Sequence, residues 1–225
     1  MCGRYSLKTD EIHIRRQFNL KDIPRLVPRY NVAPSQDVPI VRENAEGERE
    51  LVFARWGLIP SWSKEPKAEF STINARAETV AAKPAFRSAF RSRRCLIPAD
   101  GYYEWAARPG SKTKQPYYIG LREGALFAFA GLWERWERGE TAVESCTIIV
   151  TEANELTRPI HDRMPVILPE TDYELWLSAD ARQAEHLQSV LRPFPSELMR
   201  AYPVSTEVNN PRNDSEMCVE EIMTE

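Results

Sequence analysis

The sequence has no apolar run long enough to cross a bilayer. Its first twenty residues carry Arg4, Lys8, Asp10, Glu11, Arg15 and Arg16 where a secretion signal would be apolar. Cysteine is scarce, with four in 225 residues, and none of Cys2, Cys95, Cys146 and Cys218 lies in a Cys-x-x-Cys pair or at zinc-ligand spacing from a histidine. These absences argue against a membrane protein, a disulfide scaffold and a zinc module. They predict reduced thiols in a cytoplasmic protein that uses no metal and no cofactor. Positive charge is not in excess either: the net charge is −3, so no global basic field draws in nucleic acid, and only a local basic groove is left open. Nine glycines against seventeen prolines favour rigid turns and short strands over long helices.

No internal repeat, low-complexity tract or linker interrupts the chain, and its length suits one domain over residues 1–225, large enough to bury its own core. Short segments rich in β-branched and aromatic residues predict strands at Val38–Val41, Leu51–Gly57, Cys95–Pro98, Tyr102–Trp105, Pro116–Leu121, Leu126–Trp133 and Cys146–Thr151. The polar stretch Arg42–Glu50 reads as a loop between two of them. Thr9 is placed to cap a short helix with Asp10 and Glu11 in its first turn. Thr79–Arg91 reads as helical, Thr171–Glu174 as a capping box opening a helix through Trp176, and Asp180 as the start of another through Val190. The expected fold is α+β: one β-rich domain with a mainly antiparallel sheet or barrel and short flanking helices.

Cys2 has chemistry that depends on its position. Loss of Met1 leaves a thiol and an α-amine on adjacent carbons, with ordinary pKa values near ~8.5 and ~8. Such an aminothiol attacks an aldehyde twice, first through nitrogen to give an imine and then through sulfur to close a thiazolidine. On position alone, a cysteine buried under the first strand is the simpler reading. Its company changes the balance. Arg29–Pro34 carries Asn31 ahead of a proline turn. Ile73–Thr79 offers Asn74, Arg76 and Glu78 at the start of an expected helix. Asp100–Trp105 places Glu104 in an aromatic strand, where burying a carboxylate is costly. Pro159–Pro165 holds His161 between two prolines. Singly, Asn74 reads as a cap, Glu104 as an edge residue and His161 as a structural histidine. Together, thiol, amide, carboxylate and imidazole form a nucleophile and acid–base set.

The segments Met1–Tyr5, Arg29–Pro34, Trp56–Trp62, Ile73–Glu78, Ala99–Trp105 and Ile160–Pro165 resemble, in order, the motifs of the SOS-response-associated peptidase (SRAP) family of abasic-site processing proteins. The resemblance runs from residue 2 to about residue 210. It implies binding to single-stranded DNA at abasic sites, a covalent thiazolidine link through Cys2, self-removal of Met1, and an associated lyase or reversal chemistry. By the same resemblance, Asn74 orients the sugar or the cysteine, Glu104 and His161 handle protons in ring opening or imine chemistry, and Arg4, Asn31, Pro34, Trp62, Arg76 and Arg163 contact DNA. It implies a cytoplasmic monomer that joins the nucleoid when bound to DNA. Ser63 stands where some members have a second tryptophan, which removes one aromatic contact.

Carboxylate and imidazole suit the opening of a sugar hemiacetal because both titrate within reach of neutrality. Arg4 beside the Cys2 amine would disfavour its ammonium form. Trp62 offers a face to an unpaired base, and Arg87, Arg91, Arg93 and Arg94 either extend a basic groove or form a solvated helix face. Two other readings stay open. One is an N-terminal-nucleophile hydrolase of the glutamine amidotransferase kind, and the other a non-catalytic single-strand-binding module with an incidental Cys2.

Overall fold

The computed structural model describes residues 2–67, 72–178 and 184–223. The strands are β1 (Tyr5–Leu7), β2 (Arg29–Val32), β3 (Asp37–Glu43), β4 (Arg49–Trp56), β5 (Asn74–Arg76), β6 (Arg94–Ala99), β7 (Gly101–Ala106), β8 (Gln115–Leu121), β9 (Phe127–Arg138), β10 (Thr141–Glu152), β11 (Arg163–Pro165), β12 (Ile167–Leu168) and β13 (Met199–Pro203). The helices are α1 (Glu11–Gln17), α2 (Arg87–Ser92), α3 (Tyr173–Leu177) and α4 (Ala184–Ser189). The β-rich α+β expectation holds.

Two sheets form. The smaller has the order β13-β8-β7-β1-β2. The larger runs β11-β10-β4-β3-β6-β9-β12, with β5 on β10, and it closes through a β9–β10 pairing into a barrel. Closure leaves those barrel strands no free edge. Pairing is antiparallel except where β4 and β5 run parallel to β10.

The aromatic-rich segments form strands because alternate residues reach apolar partners on each side. In β7, Tyr102 joins the main core with Cys2, Tyr5 and the barrel, whereas Tyr103 joins a second cluster with Tyr118, Val204, Val208 and Cys218. This alternation turns Glu104 toward the face that carries Tyr102. Gly101 is needed for close approach: a Cβ there would lie 2.3 Å from the Tyr118 ring, whose hydroxyl is 2.9 Å from Ser6 Oγ.

Several local expectations are corrected. Asp10, not Thr9, caps α1 by accepting from the N–H groups of Ile12 and His13, while the Thr9 hydroxyl donates to Asp100. The Arg42–Glu50 loop shrinks to a tight turn on Asn44, whose Oδ1 accepts from the Glu46 and Glu48 amides, because β3 and β4 pair out to Glu43 and Arg49. Thr79–Arg91 is turns as far as Phe86 and helix only from Arg87, since Pro84 cannot donate in a continuous helix. Thr171 forms no capping box: α3 starts at Tyr173 and Asp172 makes no side-chain cap. The start expected at Asp180 lies outside the described residues, and α4 runs Ala184–Ser189. Arg94 is no groove residue. It is buried and donates to the carbonyls of Phe90, Arg91 and Trp176, closing the ends of α2 and α3.

Candidate active site

Cys2 lies just ahead of β1, and the chain there runs beside β7. The Tyr103 amide donates to the Arg4 carbonyl at 3.0 Å, continuing the Tyr5–Tyr102 register toward the N-terminus. The register carries Cys2 along the strand that holds Glu104. Cys2 is fully buried, and its thiol pKa is driven well above the usual range by burial and by the Glu104 charge. Burial thus moves the thiol above its ordinary range and favours the neutral form, so a base must take its proton before or during attack.

Glu104 is 4% exposed, and burial raises its carboxyl to about 7. The chain's amino terminus and Lys114 pull this value down, while Asp162 pushes it up. At neutral pH the group is therefore divided between acid and base, the condition for proton transfer in either direction. His161 is lowered, first by burial and then by the amino-terminal charge, and it responds to the same Asp162 and Lys114. Its Nδ1 accepts from the Arg163 amide at 3.0 Å, so the neutral ring carries its proton on Nε2. Asp162 Oδ1, 2.9 Å from the same Nδ1, becomes the acceptor once the ring is protonated there. The structure thus couples Cys2 to Glu104, and Glu104 and His161 to a shared set of charges.

Asn74 enters from the other sheet. The expected helix start is instead strand β5, paired in parallel with β10 at Ile148–Val150. Asn74 is buried, Nδ2 donates to the Ile73 carbonyl at 2.9 Å, and Oδ1 has no hydrogen-bond partner among the described residues. A buried acceptor left unused costs about 1–3 kcal/mol and marks a place where a ligand group can bond. Across β10, β11 carries Arg163, whose Nη1 meets Glu78 Oε1 at 2.5 Å and so clasps the end of the β5 segment to the His161 loop.

The expected DNA contacts divide. Trp62 is 65% exposed, Arg76 is exposed and Pro34 is half-buried in a surface turn. Asn31 is wholly buried, with its amide on the carbonyls of Val208, Asn210 and Asn213. Arg4 is half-buried, with Nη1 on Asn31 Oδ1 and the Val208 carbonyl, and it lies over Trp105 on the sheet face opposite Tyr102.

Sequence reasoning missed Lys114 and Asp162, whose charges reach Glu104 and His161. It also missed Tyr5 and Tyr102, whose buried hydroxyls have no hydrogen-bond partner among the described residues and whose pKa values feel Cys2. Both tyrosines lie inside motifs already singled out, at the cross-strand pair next to Cys2, which was the available signal. Among the described residues, no group of three or more His, Cys, Asp or Glu side chains could hold a metal ion, and no helix is long and apolar enough to cross a membrane.

Residues 1–211 match the family described as SOS response associated peptidase (SRAP). The chain belongs to the SRAP family. Its relatives include abasic site processing protein YoqW of Bacillus subtilis (strain 168), 46% identical over 224 residues that cover 98% of this chain and 99% of that protein. Abasic site processing protein HMCES of Gallus gallus is 32% identical over 263 residues, covering 97% of this chain and 77% of that protein. A crystal structure of a protein from Bacteroides thetaiotaomicron aligns with a TM-score of 0.86 at 29% identity, covering 99% of this chain and all of the other. The SRAP match thus spans Cys2 ahead of β1, Asn74 on β5, Glu104 on β7 and His161 in the loop before β11.

Proposed function

We propose that this protein, working as one domain over residues 1–225, processes abasic sites in single-stranded DNA by linking them covalently to Cys2. The observation that carries the reading is a fully buried cysteine at the second residue of the chain, on a stretch that runs beside the strand carrying the buried Glu104. The names of YoqW and HMCES support abasic sites as the target.

Hydrolysis of the Met1–Cys2 peptide bond frees the α-amine. An abasic deoxyribose is mostly a ring-closed hemiacetal, and a proton moved by Glu104 or His161 opens it to the C1′ aldehyde. The Cys2 nitrogen adds to that carbon, water leaves, and an imine remains. The thiol then adds across the C=N bond, its proton passing through Glu104 to the ring nitrogen. One aldehyde and one aminothiol thereby give one thiazolidine and one water. Glu104 suits both steps because it is neither fully protonated nor fully ionised near pH 7. The free Oδ1 of Asn74 is an acceptor for a sugar hydroxyl or for the Cys2 amine.

Trp62, Arg76, Arg163 and Pro34 supply a stacking face and phosphate contacts without a global basic charge. Single strands are preferred because a nucleophile built into a sheet cannot reach C1′ inside a stacked duplex. The protein acts as a cytoplasmic monomer that follows its DNA substrate. Removal of Met1 by the protein itself accords with the peptidase in the family description.

The test is incubation with an oligonucleotide carrying one abasic site, then heating in detergent and electrophoresis. Wild type gives a shifted band and Cys2→Ala gives none. Absence of a band with protein whose intact mass shows Met1 removed overturns the reading.

A further inference from the structure

The first residues of a chain fray unless something ties them down. A nucleophile at position 2, ahead of a three-residue strand, therefore needs an anchor. The structure supplies it from the far end of the sequence. Residues 205–219 cross the face of the smaller sheet opposite Cys2, with Val208 and Cys218 fully buried against Tyr103 and Tyr118. Asp214 pins this segment to β2, its carboxylate accepting from Arg29 Nε at 2.5 Å and from the amides of Tyr30 and Asn31 at 2.5 and 2.9 Å. Asn31 Nδ2 adds bonds to the carbonyls of Val208, Asn210 and Asn213 at 3.2, 3.1 and 2.6 Å. Arg4 Nη1 then bridges Asn31 Oδ1 at 2.7 Å and the Val208 carbonyl at 2.6 Å. Trp105, next to Glu104, donates from Nε1 to Asn209 Oδ1 at 2.7 Å.

We infer that Asn31 and Asp214 are positioning residues, which lock residues 205–219 onto β2 so that Arg4 holds the Cys2 end of β1 beside Glu104. The segment thus grips both reacting partners from behind, β1 through Arg4 and β7 through Trp105. The inference rests on the covalent reading of Cys2 above. It assigns Asn31 work within the protein rather than on DNA.

The experiment uses full-length protein with Met1 removal checked by intact mass. Single-turnover adduct formation is followed against concentration of abasic oligonucleotide for wild type, Asp214→Ala and Asp214→Asn. A Leu187→Ala control is included, with melting temperatures for all. Amide hydrogen exchange of Arg4 and Tyr5 is measured in parallel.

Asp214→Ala is expected to lower the maximal rate about tenfold, with the half-saturating DNA concentration within threefold of wild type. Asp214→Asn keeps one carbonyl oxygen, which can accept from both β2 amides, and should recover to within threefold. Exchange at Arg4 and Tyr5 should rise at least tenfold in Asp214→Ala and stay unchanged in Leu187→Ala, which destabilises α4 away from the segment.

An unchanged maximal rate in Asp214→Ala overturns the inference. So does a defect confined to half-saturation, which would make the segment a DNA surface, or an equal slowing in the control. Should Asp214→Ala not fold, Asn209→Ala removes only the exposed bond to Trp105 and is expected to slow the maximal rate two- to threefold, with no slowing counting against the inference. If wild type itself forms no adduct, the covalent reading fails. The exchange data then decide the anchoring alone, and equal rates in Asp214→Ala and wild type overturn it.

Discussion

The Glu104 carboxylate lies close enough to the Cys2 thiol for its charge to oppose ionisation of the sulfur. Replacing it therefore has opposite effects on two measurements. In Glu104→Gln the thiol pKa falls, because one of its two raising influences is gone. Adduct formation nevertheless slows by about 10²-fold, within the range usual for loss of a general acid–base. The pH dependence of Cys2 alkylation by iodoacetamide, read by peptide mass, checks the first effect, and single-turnover crosslinking checks the second. A variant that ionises more easily and also crosslinks faster would remove Glu104 from the proton-transfer role.

The raised Glu104 pKa also sets a pH window for stability. The folded carboxyl titrates near 7 against an ordinary 4.5, so the native state holds the proton more tightly than the unfolded chain. The resulting stabilisation is fully present below about pH 4.5 and is lost as pH rises through 7, a change on the order of 3 kcal/mol. His161 works in the opposite sense: its lowered pKa makes protonation costly in the fold, so stability falls as pH drops below its ordinary 6.5. Subtracting the urea-unfolding free energy of Glu104→Gln from that of wild type between pH 5 and pH 8 cancels the histidine. The difference should decline as pH rises, and a flat difference would contradict the shift.

Much of the fold was legible because alternation is a local property. The segments around Val38–Val41, Cys95–Pro98, Tyr102–Trp105, Pro116–Leu121 and Cys146–Thr151 all became strands, and the inward turn of Glu104 follows from its neighbours' apolar sides. What was not legible depends on partners far away in the chain. Asn74 looks like a helix start until β10 supplies a parallel partner some seventy residues later. Asn31 looks like a surface amide because the carbonyls that occupy it lie 177 to 182 residues away. Lys114 and Asp162 carry no local pattern at all and reach the site only through the β7–β8 connection and the His161 loop.

The buried hydroxyl of Tyr102 yields a prediction in which stability and activity separate. The hydroxyl has no hydrogen-bond partner among the described residues and its ring packs on Phe129 at 6.2 Å. Removing an unsatisfied buried oxygen while keeping the ring relieves a desolvation cost of about 1–3 kcal/mol. Tyr102→Phe should therefore melt at or above the wild-type temperature. It should also crosslink more slowly, by about threefold or more, if the hydroxyl serves the reacting groups beside Cys2 and Glu104. Loss of stability together with unchanged crosslinking would make it a structural hydroxyl.

Trp62 tests the DNA surface separately from the chemistry. It is 65% exposed, so its indole contributes little to the core, and Trp62→Ala should leave the melting temperature unchanged within error. Stacking on one unpaired base contributes about 1–3 kcal/mol, which corresponds to roughly five- to 150-fold in affinity for a single strand. The loss should be the same at low and high salt, because stacking releases no counterions. Arg76→Ala, by contrast, should weaken binding most at low salt and flatten the slope of log affinity against log salt by about one. Fluorescence anisotropy with an abasic analogue lacking the aldehyde isolates this binding from covalent capture. Equal salt slopes for Arg76→Ala and wild type would place the strand elsewhere on the surface, away from the end of β5 where Asn74 waits with its open carbonyl.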